Sequence, residues 1–292
     1  MSRDSELRLK DGRTIGWREF GAADGRPVLA FHGAPASRLM YEPAARSAQA
    51  RGLRLIAPDR PGYGLSSPHP DRTLATFAED VAAVLDHLAI DTAPILAISG
   101  GCPYAVVTSV ALGPRISALA LVSPLGEIAS PAAGRILSWP QRAFFRRLPR
   151  RPALLRRLAA AARTGFMLSP GASHTVFKAG LTPPDRAVLA TAEARAVVIA
   201  MTAEALRSGV DGAVSDLDLY SRPWPLAPEA VTCPTSLWQG TSDAIVPAGL
   251  AFDLATRIPG CLSHELPGHG HFWVLEHIDE VLADLARLAG YG

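Results

Sequence analysis

Apolar residues along the chain follow two rhythms that take turns. Short, largely apolar runs at 28–31, 53–57, 94–98 and 116–122 have the length of strands rather than of helices, and strand signals return at 235–239 and 262–266. Other segments have a helical period. In 73–88 the residues Leu74, Phe77, Val81, Val84, Leu85 and Leu88 share one face, and Thr73 is placed to cap the helix. Segments 103–112, 248–257 and 272–288 read as further helices. Near the N-terminus, 7–10 and 14–18 flank Asp11-Gly12, a hairpin signal. Strands alternating with helices predict an α/β fold whose mostly parallel sheet is flanked by helices on both faces. The alternation stops after 116–122 and resumes near 226. The pattern thus predicts a core from residues 1–124 and 226–292, with an inserted helical cap at 125–225 whose helices are divided by prolines.

Composition narrows the class. The 292 residues are 48% hydrophobic and 19% charged, too apolar for a disordered chain and long enough to bury a large core. Three cysteines without a CxxC argue against a disulfide framework or a thiolate zinc site and fit a reducing cytoplasm. The charged start, Met-Ser-Arg-Asp-Ser-Glu, lacks the apolar stretch of a signal peptide. The uncharged stretch 92–114 has the length of a membrane span, but Ser99-Gly100-Gly101-Cys102-Pro103 in its middle makes it a strand, a turn and a helix, so no transmembrane segment is expected.

A net charge of +2 is too small to point to nucleic acid. Its distribution is more telling: 15 basic and 20 acidic residues in the predicted core give −5, while 14 and 7 in the cap give +7. Residues 128–184 contain nine arginines and Lys178 but no Asp or Glu, and Arg142, Arg146 and Arg150 interleave with Phe144, Phe145 and Leu148. This is either a basic amphipathic surface for a membrane, an acidic or acyl-carrier-bound partner or an acidic substrate, or a solvated face whose arginine stems cover apolar surface.

Ligands of a doubly covered parallel sheet collect at the carboxyl ends of its strands, so those loops hold the chemistry. Ala97-Ile98-Ser99-Gly100-Gly101 joins a strand to a helix through a tight turn, the setting that thrusts a serine outward as a nucleophile. A serine hydroxyl needs an imidazole to take its proton. His271 follows the last strand and opens the last helix, with His269 as its rival two residues earlier. The base needs an acceptor on its second nitrogen, for which Asp243, after the 235–239 strand, is the first choice and Glu127 the second. The Gly100 and Ala34 amides are placed to stabilise an oxyanion, and His32 is expected to brace its own loop. Cys102 reads as a small buried residue. A metal site from His269, His271, Glu276 and His277 lacks a fixed set of further ligands.

The chain resembles the α/β-hydrolase superfamily, in particular capped bacterial serine hydrolases, over its whole length. The resemblance rests on His32-Gly33-Ala34-Pro35, Pro58-Asp-Arg-Pro-Gly-Tyr-Gly-Leu-Ser66, Ser99-Gly-Gly-Cys-Pro-Tyr104, Gly240-Thr-Ser-Asp243 and Gly268-His-Gly-His271, and on the chain order Ser99, Asp243, His271. The segment 216–224 also resembles the link from cap back to core in such hydrolases. Ala97 departs from the elbow's usual glycine, and His269 stands where many relatives have an acidic or small residue. The resemblance implies the α/β-hydrolase fold and hydrolysis of an ester, lactone, thioester or amide of a small, largely apolar substrate without cofactor or metal. Serine at position 99 excludes the aspartate nucleophile of epoxide and haloalkane hydrolases. The alternatives are a small-molecule binding protein, or a lyase or acyl transferase on the same fold. Trp139, Phe144, Phe145, Phe166, Met167 and Phe177 of the cap would line the substrate pocket or form the cap's own core.

Overall fold

A computed structural model describes residues 3–291. Eight strands form one sheet: β1 (Arg3–Arg8), β2 (Thr14–Gly21), β3 (Arg26–Phe31), β4 (Leu53–Pro58), β5 (Ala93–Ile98), β6 (Ile116–Val122), β7 (Thr235–Gly240) and β8 (Leu262–Leu266). Their spatial order is β1-β2-β4-β3-β5-β6-β7-β8. The β1–β2 and β2–β4 pairs are antiparallel and every other pair is parallel. This is the α/β-hydrolase fold that the sequence predicts. The hairpin begins at Arg3, four residues before the predicted strand. Residues Arg3 to Glu6 are all polar, so this edge segment carries no apolar alternation to read.

The central strands are buried on both faces, and β5 shows why they read as continuous apolar runs: none of its six residues is exposed. Its Ile95 and Ala97 join one core cluster, with Phe77 and Val81 of α2 (Leu74–His87) and Ala105 and Val106 of α3 (Cys102–Leu112). Its Leu96 and Ile98 join the opposite cluster, with Met40 and Tyr41 of a 3₁₀ turn, Ala48 of α1 (Ala45–Ala50) and a C-terminal helix. Thr73 caps α2 as expected, its hydroxyl accepting from the Thr76 amide at 3.0 Å.

Between β6 and β7 the chain forms α4 (Pro131–Ile136), α5 (Trp139–Arg142), α6 (Pro152–Leu168), α7 (Pro170–Ala179), α8 (Pro183–Val188), α9 (Ala192–Ala205) and α10 (Asp211–Tyr220). The prolines that interrupt this stretch start helices: α4 to α8 each have one in the first turn, where the missing N–H costs nothing. Arg142, Arg146 and Arg150 do not share a helix face. A π-turn follows α5, and Arg146 turns inward to donate to the Ile128 and Ser130 carbonyls at 2.8 and 2.9 Å.

The helical insertion is sewn to the sheet layers. Leu125, Ile128, Ala133, Leu137, Leu219, Tyr220 and Trp224 belong to the first core cluster, and Leu181, Leu189, Val198 and Met201 to the second. Its separate cluster is small, made of Leu155, Val210, Val214 and Leu217. After β7 come α11 (Ala248–Arg257) and α12 (Val274–Leu288), the latter packing Val281, Leu282 and Leu285 on the sheet. No helix among the described residues is long and apolar enough to cross a membrane.

Candidate active site

Ser99 sits where β5 ends and the helix-forming turn begins, at φ +54°. That left-handed conformation strains a non-glycine residue by on the order of 1–3 kcal/mol, so the surrounding packing must hold it there. The two following glycines explain how. A Cβ on Gly101 would lie 2.4 Å from the Phe31 carbonyl oxygen, and one on Gly100 would lie 2.5 Å from the Tyr220 hydroxyl and 3.1 Å from the Ala34 Cβ. The turn thus packs directly on the end of β3. Gly100 and Ala34, the two predicted oxyanion donors, are brought against each other. Ala97 is fully buried in the first cluster, so a methyl group fits where the elbow pattern has glycine.

The structure brings Asp243 and His271 together. His271 Nδ1 lies 2.7 Å from Asp243 Oδ2, and both side chains are buried. The second carboxylate oxygen of Asp243 accepts the Ile245 and Val246 amides at 2.9 Å each, while Gln239 Nε2 donates to Oδ2 at 3.1 Å. With its Nδ1 hydrogen on Asp243, His271 keeps Nε2 as the free basic nitrogen. Burial disfavours the imidazolium, but the charge and hydrogen bond of Asp243 outweigh it, and the more distant Asp185 adds to them. The net effect raises the His271 pKa above its ordinary value.

Ser99 and His271 are not hydrogen-bonded in this structure. They are linked through the segment after β6: the Leu125 amide donates to the Ser99 carbonyl at 3.2 Å, and the Ser123 hydroxyl donates to the His271 carbonyl at 3.2 Å. Nucleophile-to-base bonds are commonly long in resting enzymes and tighten around substrate. The competing residues are engaged elsewhere. His269 is exposed, with its ring beside Trp273 and His277. Glu127 accepts the Trp224 amide at 3.0 Å and pairs with Arg257 at 2.6 Å. His277 lies 2.8 Å from Glu280, and no group of three His, Cys, Asp or Glu among the described residues is arranged to hold a metal.

Two buried carboxylates at the site were not legible as such. Asp216, on α10, lies under the loop that carries Ala34. It pairs with Arg60 at 2.7 Å and with Arg72, and it accepts the Tyr63 and Tyr104 hydroxyls at 2.8 and 2.6 Å. Arg60 in turn donates to the His32 carbonyl and, at 2.8 Å, to the Gly33 carbonyl. Burial opposes ionisation of Asp216, yet the two guanidiniums hold its carboxyl well below the usual range. His32 completes the brace: Nδ1 donates to the Gly33 carbonyl at 2.7 Å and Nε2 accepts the Arg60 amide at 3.2 Å. Burial first, then the charge of Arg60, push its pKa well down, so the ring is a neutral strut. Tyr220 of the same helix donates to the Gly100 carbonyl at 2.7 Å. Asp185, on α8, accepts the Phe272 amide at 2.8 Å and the Thr182 hydroxyl at 3.1 Å, and it fills the space beside Gly270.

The sequence profile of the alpha/beta hydrolase family matches residues 28–285. The chain belongs to the alpha/beta hydrolase family. It is 32% identical over 124 residues to the uncharacterized hydrolase YcgS of Bacillus subtilis, covering 42% of each chain. It is 34% identical over 124 residues to a non-heme chloroperoxidase of Streptomyces lividans, covering 42% of this chain and 45% of that one. These matches span less than half the length of either relative. Over nearly the whole chain the fold is similar to that of a thermophilic esterase from Thermogutta terrifontis, with a TM-score of 0.72 at 23% identity, covering 98% of this chain and 99% of that one.

In this alpha/beta hydrolase the sequence-named aromatic residues of the insertion differ in setting. Trp139, Phe144 and Phe177 are 65%, 51% and 44% exposed, so they do not form a core of the insertion. Phe145 packs against both the first core cluster and the small one, and Phe166 is half-buried. Phe177 stacks edge-on to Phe272, the neighbour of His271, at 6.0 Å. Cys102 is fully buried and burial pushes its thiol far up, which makes it inert.

Proposed function

We propose that this alpha/beta hydrolase is a serine hydrolase that cleaves an ester, lactone, thioester or amide of a small, largely apolar substrate through an acyl-enzyme. The observation that carries the reading is the buried 2.7 Å Asp243–His271 pair in the loops after β7 and β8, on the same sheet end as the left-handed Ser99. Ser99 Oγ attacks the acyl carbon as His271 Nε2 takes its proton. The negative charge on the former carbonyl oxygen falls to the Gly100 and Ala34 amides, which the close packing of β3 against the elbow holds together. His271 then gives the proton to the departing alcohol, thiol or amine. Water, deprotonated by His271, attacks the acyl-serine, releases the acid and restores Ser99. Asp243 stays ionised throughout and orients the imidazolium.

The insertion at 125–225 serves as the cap, and Phe177, through Phe272, flanks the approach to His271. Turnover of a panel of p-nitrophenyl esters tests the reading. Multiple turnovers are expected, with Ser99→Ala lower by several powers of ten. A Ser99→Ala protein with full activity would refute it, and acyl transfer to an added alcohol in place of water would reassign it as a transferase.

A further inference from the structure

The leucines of α6 are placed on two faces, and one of those faces looks outward. Leu155 and Ala159 turn toward α10 and the small cluster. Leu154, Leu158, Ala161, Gly165 and Leu168 recur at intervals of four and three, which sets them in a second stripe. Every one of these five is exposed, with Leu158 at 50% and Leu168 at 81%. Scattered exposed leucines are ordinary, but a continuous stripe on one helix is not. The apolar surface continues onto α7 through Val176, 75% exposed, and Phe177, which touches the Phe272 side of the site.

The charges beside this stripe are of one sign. Arg147, Arg150, Arg151 and Arg157 are exposed and pair with no carboxylate among the described residues, whereas Arg156 is spent on Asp211. No acidic residue occurs between 128 and 184 to balance them. A second copy of the chain is a poor occupant, because a two-fold contact would set this arginine group against itself. A plane that offers apolar depth at its centre and negative charge at its rim suits both features at once.

We infer that α6 and the Val176–Phe177 end of α7 form an interfacial surface that seats the protein on an anionic lipid bilayer, with the Leu154–Leu168 stripe in the acyl boundary and the arginines among the headgroups. The helix lies in the interface plane, as amphipathic helices with a basic rim do. The edge of the seated surface carries Phe177, so an ester dissolved in the membrane would meet the site from that side. Binding itself does not depend on the catalytic reading.

Co-sedimentation with phosphatidylcholine vesicles containing phosphatidylglycerol, against phosphatidylcholine alone, tests the inference. The protein should pellet with the anionic vesicles, and raising the salt should release it. Each arginine near such a surface contributes about fivefold in affinity, so Arg150→Glu/Arg151→Glu/Arg157→Glu should bind at least roughly 100-fold more weakly. Leu158→Asp/Leu168→Asp, at exposed positions that the fold does not use, should lose binding with unchanged ester turnover and circular dichroism. Failure of the wild type to pellet, or equal pelleting with both lipids, overturns the inference. So does a Leu158→Asp/Leu168→Asp protein that binds like the wild type. Light scattering that shows a dimer broken by the same substitutions, without vesicle binding, would assign the stripe to self-association, and capture only by an acidic protein would assign it to that partner. If p-nitrophenyl ester turnover fails while vesicles still bind, the serine hydrolase reading falls and this one stands.

Discussion

Removing the charge of Asp216 should destabilise the protein more than removing any single buried methyl group of the sheet. Asp216 is 1% exposed and is the carboxylate that Arg60 and Arg72, both buried, share. Asp216→Asn keeps the size and some hydrogen bonds but leaves two buried guanidiniums without a counter-charge. Breaking a buried ion pair from one side costs about 3–5 kcal/mol, a large part of a typical total stability of about 5–15 kcal/mol. The loss concerns the broken network and not its net worth, since a wholly apolar replacement can be neutral. Urea unfolding at neutral pH measures it.

The pH dependence of that loss follows from linkage. The folded-state pKa of Asp216 is depressed, so its contribution is fully present above the ordinary carboxylate range near 4 and disappears as pH falls through the depressed value. The stability gap between wild type and variant should therefore stay constant from neutral pH to about 5 and close only in strong acid. Because Arg60 also holds the His32 and Gly33 carbonyls, kcat/KM should fall at temperatures where the variant is folded. A gap below about 1 kcal/mol at neutral pH, the worth of an exposed ion pair, would refute the argument.

Asp243→Asn should lower kcat by about 10⁴ with little change in KM, because the His271 tautomer is lost while binding is not; steady-state kinetics on any accepted ester reads this. His271 acts as a base only when neutral, so kcat/KM should decline as pH falls through a value above the ordinary 6.5 or so. Asp185→Asn should shift that limb to lower pH, because it removes one of the carboxylates that favour the imidazolium while the side-chain oxygen can still accept the Phe272 amide. An unmoved limb would confine Asp185 to packing. Gly101→Ala should cost about 1–3 kcal/mol in thermal or urea unfolding, since the new methyl meets the Phe31 and His32 carbonyl oxygens at 2.4 and 2.8 Å, both backbone atoms that cannot swing away.

The central strands were legible because burial on both faces writes them as unbroken apolar runs, and the turns after them because a tight strand-to-helix turn needs small residues. Ser99, Gly100 and Gly101 carry that mark in five letters. β1 was legible only in part, since Arg3-Asp-Ser-Glu at the sheet edge are all polar and leave no apolar alternation. Asp216 could be flagged as part of a familiar segment, but its partnership with Arg60 spans 156 positions and follows no local period. Asp185 had no local mark at all. The outward stripe of α6 was invisible for another reason: Leu154 and Leu158 have the same helical spacing whichever way they face, and only the packed structure says which leucines are covered.

The central claim is that Ser99 is the nucleophile, activated by His271. Intact-mass spectrometry after treatment with a p-nitrophenyl phosphonate measures it directly, since the reagent phosphonylates an activated serine and stalls there. The account predicts one adduct, mapped by peptide sequencing to Ser99, absent from Ser99→Ala and formed far more slowly by His271→Ala. An adduct on another residue, or an unmodified wild type that still hydrolyses esters, would contradict it.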